Sequence, residues 1–190
     1  MKEEILNRIR GEARKLLPEF GAHGFEHTER VYRTSQFLGD LTECDPSILL
    51  PAALLHDVGR GTVDHAKAGA ELAKKILMSL DYDKEKINAV TDAISAHSFT
   101  GTRSPSFIEA KVLSDADKLD AVGATGVYRA AMYSVEEGRS LEDFIAHFHE
   151  KLLKLKDTFH TEEAVKLAES RHKFMLDFLY QLDREQKLRA

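Results

Sequence analysis

Four side chains of metal-binding type stand where a helical protein would ordinarily bury apolar groups. His56 and Asp57 are adjacent and directly follow the apolar run of residues 49–55, while His27 lies upstream and Asp117 downstream. An imidazole and a carboxylate side by side can both bind one cation, and ligands from other helices would complete an open site with room for water. The pattern therefore predicts a metal centre that could activate water.

Helical periodicity directs these side chains toward the protein interior. If a helix begins near residue 25, His27 shares one face with Val31. We expect a third helix to carry His56 inward on the same face as Gly59, with Asp57 at the edge of that face. Asp117 lies on the apolar face of a later helix. Three separate helices could thus converge on one ion.

Each of these residues has a simpler explanation when it is taken alone. A single inward histidine is more often a hydrogen-bonded core residue than a ligand, and Asp115 and Asp120 could be solvated helix carboxylates. The run Asp115, Asp117 and Asp120 lacks the central glycine and terminal glutamate of a calcium loop. His23 and His27 lack the general-base glutamate of the zincin pattern. Only their joint occurrence, in this order, favours a shared metal centre.

At these positions the sequence resembles the HD superfamily of metal-dependent phosphohydrolases. The matching stretches are His-Thr-Glu-Arg-Val at 27–31, Ala-Ala-Leu-Leu-His-Asp-Val-Gly at 52–59 and Asp-Ala-Asp-Lys-Leu-Asp-Ala-Val-Gly-Ala at 115–124. The resemblance covers about residues 22–129 and implies an HD-type domain. It also implies that the metal ligands are His27, His56, Asp57 and Asp117, with Asp117 rather than Asp115 as the last ligand.

Two further histidines bear on the number of ions. Some members of the superfamily have extra histidines between the His-Asp pair and the last aspartate, and these bind a second ion that the carboxylate of the pair bridges. His65 and His97 lie in that interval. Their alternatives are histidines at helix ends, which the macrodipole favours for His97, or imidazoles that bind substrate phosphate. The sequence leaves one ion and two ions open.

Cationic side chains lie near the predicted ligands in the chain. Arg30, Arg60 and Lys118 are candidates to bind a substrate phosphate, and His23 precedes His27 by one helical turn. Cations around an open metal site suit an anionic substrate because they neutralise charge on a transferring phosphoryl group. Each of them could equally be an ordinary surface charge. The loop at residues 98–106 could act as a lid or could simply connect two helices.

The resemblance implies a metal-dependent phosphohydrolase that acts on a nucleotide or another small phosphate ester through a metal-activated water. Asp57 or Asp117 would hold or deprotonate that water. Lys118, with His23 or Arg60, would stabilise charge on the nonbridging oxygens. The mixed ligands suit a divalent cofactor among Mn, Fe, Co, Ni, Mg and Zn, with Mg, an oxygen-seeking ion, the least favoured.

Two other functions remain open at this point. The superfamily resemblance also includes di-iron oxygenases, which would use a six-ligand set. That set here would be His27, His56, Asp57, His65, His97 and Asp117. The other alternative is a module that senses a nucleotide without turning it over, although an intact ligand set argues against a pure sensor.

Composition limits the partners of the chain. Its 27 basic and 32 acidic residues give a net charge of -5, and no cluster of lysine and arginine forms a stripe suited to a phosphate backbone. A nucleic-acid polymer is therefore not expected as a partner. The lone Cys44 cannot form an internal disulfide, and no apolar run approaches the length of a membrane span. We expect a cytoplasmic protein without a membrane partner, and an oligomer is possible.

The spacing of apolar residues predicts an all-α fold. Apolar positions recur every three or four residues, and breaks divide the chain into seven or eight helices. Asp45 is the predicted N-cap of the third helix, and Ser140 with Asp143 resembles a capping box. The length of 190 residues suits one compact domain over 1–190, with helices at 140–188 packed on the motif-bearing core.

Overall fold

The computed structural model describes residues 3–98 and 103–189, and every regular element within them is helical. The predicted all-α class is thereby confirmed. In this part of the chain the elements are α1 (Glu3–Leu16), α2 (Phe25–Leu41), α3 (Pro46–Leu55), α4 (His65–Ser79), α5 (Lys84–Ala96), α6 (Ile108–Asp120), α7 (Gly123–Glu136), α8 (Leu141–Glu150), a 3-10 helix (Leu152–Thr158) and α9 (Glu162–Gln186). The chain divides into two compact units, 1–117 and 118–190, and the boundary falls within α6. The single domain over 1–190 stays a prediction.

Helix α3 lies at the centre of the first unit. It is apolar on all sides, its residues from Leu49 to Leu55 are buried, and it contacts α1, α2, α4 and α5. A helix that is hydrophobic all round must be enclosed by other elements. This enclosure fixes the end of α3, and the His-Asp pair follows that end directly.

Polar contacts fix the beginning of α3. The carboxylate of Asp45 accepts a hydrogen bond of 2.8 Å from the backbone N–H of Ser47 and forms an ion pair with Lys86 at 2.9 Å. The predicted N-cap is therefore confirmed. The Tyr82 hydroxyl donates to the carbonyl of Ser47, and Glu109 accepts from the backbone N–H of Asp45 at 2.8 Å. These bonds satisfy groups that the start of α3 would otherwise leave unpaired.

The second unit contains α7, α8, the 3-10 helix and α9. Phe144 and Phe148 of α8 pack edge to face with ring centroids 5.0 Å apart, and Phe178 of α9 lies 6.0 Å from Phe148. Ser140 and Asp143 form the predicted capping box, each side chain accepting from the other residue's backbone N–H. This capping box starts α8 at Leu141, as the sequence predicts.

The break between α6 and α7 adds one helix to the predicted seven or eight. Val122 is extended, and Gly123 has a φ of 75°, a left-handed value that glycine adopts without strain. A Cβ at Gly123 would also lie 2.9 Å from the side chain of Arg171. Arg171 donates to the carbonyl of Leu119 at 2.6 Å. The described residues therefore hold nine α-helices.

Across the two described stretches, the structure has no helix with both the length and the apolar composition needed to span a bilayer.

Candidate metal centre

His27 enters the centre from the first turn of α2. Its imidazole is fully buried, and its Nε2 lies 3.2 Å from Nε2 of His56 and 3.3 Å from Oδ1 of Asp117. The carboxylate of Asp117 retains 21% exposure. Helices α2 and α6 thus bring a nitrogen and an oxygen donor to the same point, as the sequence predicts.

His56 follows the last residue of α3 rather than lying inside the helix. The prediction that the third helix carries His56 and extends toward Gly59 is wrong, because regular α-helix ends at Leu55. His56 nevertheless keeps helical torsions, with φ −60° and ψ −37°, so its side chain still points inward. The helix end frees the following residues to turn back toward the centre.

A backbone hydrogen bond sets the tautomer of His56. Its Nδ1 lies 2.8 Å from the carbonyl oxygen of Ala53, which can only accept, so Nδ1 carries the proton. Nε2 then presents a lone pair toward His27. Burial lowers the pKa of His56 to about 4, so the ring is neutral near neutral pH. A neutral imidazole oriented by a carbonyl is the form in which histidine binds metals.

Asp57 lies in the middle of the cluster and is fully buried. Its Oδ2 is 3.7 Å from Nε2 of His27 and 3.8 Å from Nε2 of His56, and its Oδ1 is 3.7 Å from Nε2 of His97. Burial would raise the pKa of the Asp57 carboxyl, but the facing imidazoles, His56 first, and the guanidinium of Arg60 lower it well below its usual value. Asp57 is therefore ionised.

A second pair of histidines lies on the other side of Asp57. His97 caps the end of α5, and its Nδ1 lies 2.6 Å from the carbonyl oxygen of Ile94, so Nε2 of the neutral ring also presents a lone pair to the cluster. The His97 ring is 5.1 Å from that of His56 and 5.6 Å from that of His65, the first residue of α4. Both histidines predicted for a second ion thus lie beside the first group.

The donor atoms fit a divalent metal. Three groups each place three ligand atoms within 4.8 Å of one another, and these are His27, His56 and Asp117; His56, Asp57 and His97; and His23, His27 and Asp57. Within the described residues, Asp57 Oδ1 and His97 Nε2 are buried without a hydrogen-bond partner. Unpaired buried acceptors cost free energy, and a cation would remove that cost. Mixed imidazole and carboxylate donors suit Mn, Fe, Co, Ni or Zn.

Two of the predicted rim residues contact the centre. Arg60 donates to Oδ2 of Asp57 from Nη2 at 2.9 Å and from Nε at 3.2 Å, and its Nη2 lies 2.9 Å from Nδ1 of His23. The His23 ring lies 5.8 Å from that of His27. Arg30 lies on α2, three residues after His27, with its side chain partly buried.

Lys118 has partners that its sequence neighbours do not reveal. Its ammonium donates to the carbonyl of Thr158 at 2.6 Å and lies 3.1 Å from Nε2 of His160. These partners are 40 and 42 residues away, and no motif connects them with Lys118. The predicted lid falls partly outside the described residues, since 99–102 are not among them.

An all-helical unit that gathers histidines and aspartates in the order His, His-Asp, Asp is the arrangement expected of an HD domain. The model of the HD domain family matches residues 24–122, and the chain belongs to that family. The match contains all four predicted ligands.

Particular relatives extend the likeness over almost the whole chain. The protein YpgQ of Bacillus subtilis is 35% identical over 179 residues, which is 90% of this chain and 87% of YpgQ. The crystal structure of YpgQ in complex with ADP matches with a TM-score of 0.83 at 33% identity, covering 96% of this chain and 95% of that one. An HD-superfamily hydrolase from Bacillus thuringiensis matches with a TM-score of 0.78 at 31% identity, over 98% and 99%. Hydrolysis is the class of activity that these comparisons support.

Proposed function

We propose that the protein is a metal-dependent phosphohydrolase that acts on a nucleotide or another small phosphate ester. The observation that carries the proposal is the convergence of His27, His56, Asp57 and Asp117, whose donor atoms lie within 3.2–3.8 Å of their neighbours in a buried cluster. A bound divalent ion lowers the pKa of a coordinated water and neutralises charge on a phosphoryl group. His27, His56, Asp57 and Asp117 would hold one ion, and Asp57, His97 and His65 a second.

The residues of the cluster have distinct parts in this proposal. His56 and His97 are held by backbone carbonyls, so their Nε2 atoms stay oriented without reorganisation. Oδ1 of Asp57 accepts no hydrogen bond within the described part of the chain, so its lone pairs are available to an ion or to a water. Burial of the cluster strengthens each of these electrostatic contacts.

The charge at the edge of the cluster supports an anionic substrate. Arg60 retains 32% exposure and His23 retains 34%, so both can face solvent and the centre at once. A guanidinium presents paired donors that match two oxygens of a phosphate. YpgQ was crystallised in complex with ADP, which supports a nucleotide as the phosphate-bearing molecule.

A second candidate function has one observation in its favour. Oδ2 of Asp57 faces His27, and Oδ1 faces His97. This arrangement would also suit a pair of iron ions. A di-iron oxygenase would use His65 and His97 with the other four ligands. The match to an HD-superfamily hydrolase makes hydrolysis the better supported function.

Labelled water separates the two functions. The metal-stripped protein, resupplied with Mn, Fe, Co, Ni, Mg or Zn, would be incubated with a nucleotide panel in water enriched in oxygen-18. The proposal predicts that the label enters a phosphate product, because water attacks phosphorus. Oxygen uptake with iron alone, without label in phosphate, would favour the oxygenase. Tight nucleotide binding without any product would favour a sensing module.

A further inference from the structure

Arg60 occupies a special position beside Asp57. Its Nη2 lies 2.9 Å from Asp57 Oδ2 and 2.9 Å from His23 Nδ1, and those two atoms are only 3.3 Å apart. An arginine side chain can only donate, so both atoms accept from it and Nδ1 of His23 carries no proton. The guanidinium of Arg60 therefore occupies a lone pair of Asp57 Oδ2 and a lone pair of His23 Nδ1 at the same time.

The lone pairs that Arg60 uses are among those that could bind a metal. Asp57, His23 and His27 form one of the three groups of residues whose donor atoms lie within 4.8 Å of one another. Oδ2 of Asp57 lies 3.3 Å from Nδ1 of His23 and 3.7 Å from Nε2 of His27. Oδ2 is also the oxygen of Asp57 that faces His27 and His56. The guanidinium thus lies against the oxygen that a first ion would share.

The charges in the cluster also make Arg60 and a divalent ion competitors for the same carboxylates. Two carboxylates, Asp57 and Asp117, lie among the imidazoles of the cluster, and the Arg60 guanidinium is paired with the first of them. With the guanidinium present, one negative charge remains uncompensated, and without it two remain. A divalent ion neutralises the second arrangement fully, whereas it would face a fixed positive charge in the first.

We infer that Arg60 is an internal counter-ion that a divalent metal must displace from Asp57. Metal binding then releases the guanidinium to bind an oxyanion of phosphate type. The inference rests on the metal site of the proposed function. It adds an order of binding, in which the metal binds before the phosphate. An arginine that merely oriented a ligand carboxylate would strengthen metal binding, and its loss would weaken binding by about 10- to 100-fold.

Metal affinity measured with Mn²⁺ alone tests the inference without any turnover. The paramagnetic resonance signal of free Mn²⁺ gives the dissociation constant for the unmodified protein and for Arg60→Met, Arg60→Gln and Arg60→Lys. Arg103→Met removes the same charge from an exposed pair with Asp92 and is the matched control. Circular dichroism checks that each variant is folded.

We expect Arg60→Met and Arg60→Gln to bind Mn²⁺ at least about tenfold more tightly, because a competing cation is gone. Arg60→Lys, which keeps the charge, and Arg103→Met should stay close to the unmodified protein. Unchanged or weaker binding in Arg60→Met and Arg60→Gln would overturn the inference and leave the proposed function intact. Failure of every protein to bind Mn²⁺ would instead contradict the metal site itself.

A second measurement uses the unmodified protein. Exchange of the Arg60 Nε proton with water, followed by nitrogen-15 resonance, reports its hydrogen bond to Asp57. Saturating Zn²⁺, a diamagnetic probe, should accelerate this exchange severalfold and leave Arg103 unaffected. Calorimetry would show that the protein holds Zn²⁺ under these conditions. If the Arg60 Nε proton then exchanges at the same rate with and without Zn²⁺, the metal does not displace Arg60 and the inference is overturned.

Discussion

Replacing His97 by alanine should remove one of two bound ions and leave the other in place. His97 Nε2 is buried 3.7 Å from Asp57 Oδ1, and neither atom has a hydrogen-bond partner among the described residues. The three donors His27, His56 and Asp117 lie within 4.8 Å of one another without any contribution from His97. The two groups should therefore respond differently to the same substitution.

The expected magnitude follows from the donors that remain. Losing a partner that only orients a ligand costs about 10- to 100-fold in metal affinity, so losing a ligand should cost at least about 100-fold, or about 2.7 kcal/mol. The first ion keeps all its donors, and its affinity should change by less than about threefold. Removing a fully buried ring also leaves a cavity, which costs about 2 kcal/mol of folding stability.

Metal content after equilibrium dialysis, measured by mass spectrometry, gives the number of ions per chain. The unmodified protein should hold two, and His97→Ala one. His149→Ala, a substitution on α8 in the other unit, is the control and should retain two. Two ions in His97→Ala, or only one ion in the unmodified protein, would refute a second site that depends on His97.

Two further predictions concern the elements around the centre. Gly59→Ala should destabilise the protein by about 1–3 kcal/mol in urea unfolding, because its Cβ would lie 2.3 Å from the backbone nitrogen of Gly69 and 2.4 Å from the carbonyl oxygen of His65; a stability equal to that of the unmodified protein would contradict this close approach. Burial, with the charges of nearby aspartates, raises the pKa of Tyr82 to about 12. Because this exceeds its unfolded value of about 10, the contribution of Tyr82 to stability is fully present below about pH 10 and falls by about 3 kcal/mol as pH rises through 12. The free energy of unfolding of Tyr82→Phe, measured in urea over the same pH range, should not show this fall. If the variant and the unmodified protein lose stability identically with pH, the prediction is wrong.

The sequence predicted which side chains meet in the buried cluster, because the signal for each of them is local. His27 and Asp117 each share a helix face with apolar neighbours, and the His-Asp pair follows a run of apolar residues that must be enclosed. The capping residue Asp45 was equally readable, since its side chain bonds the backbone two residues later. Features that depend on neighbouring residues can be read from one sequence.

The contacts of the rim could not be predicted in the same way. Arg60 was a candidate for phosphate binding, but its contact with His23 joins residues 37 apart in sequence. Lys118 was another candidate, and it bonds the carbonyl of Thr158, 40 residues away. Long cationic side chains reach several partners, and tertiary packing selects among them. Gly123 separates α6 from α7, because its left-handed torsion cannot be part of a continuous right-handed helix, and the sequence alone does not specify that torsion.

The most direct test of metal-dependent hydrolysis is phosphate release from a nucleotide panel by the metal-stripped protein, with each candidate ion restored in turn. Asp57→Ala would be run in parallel, and Asp92→Ala, which removes an exposed carboxylate from an ion pair with Arg103, is the matched control. We expect release that requires metal, persists in Asp92→Ala and falls by at least about 1,000-fold in Asp57→Ala. Release that is unaffected by Asp57→Ala, or no release with any ion, would contradict metal-dependent hydrolysis.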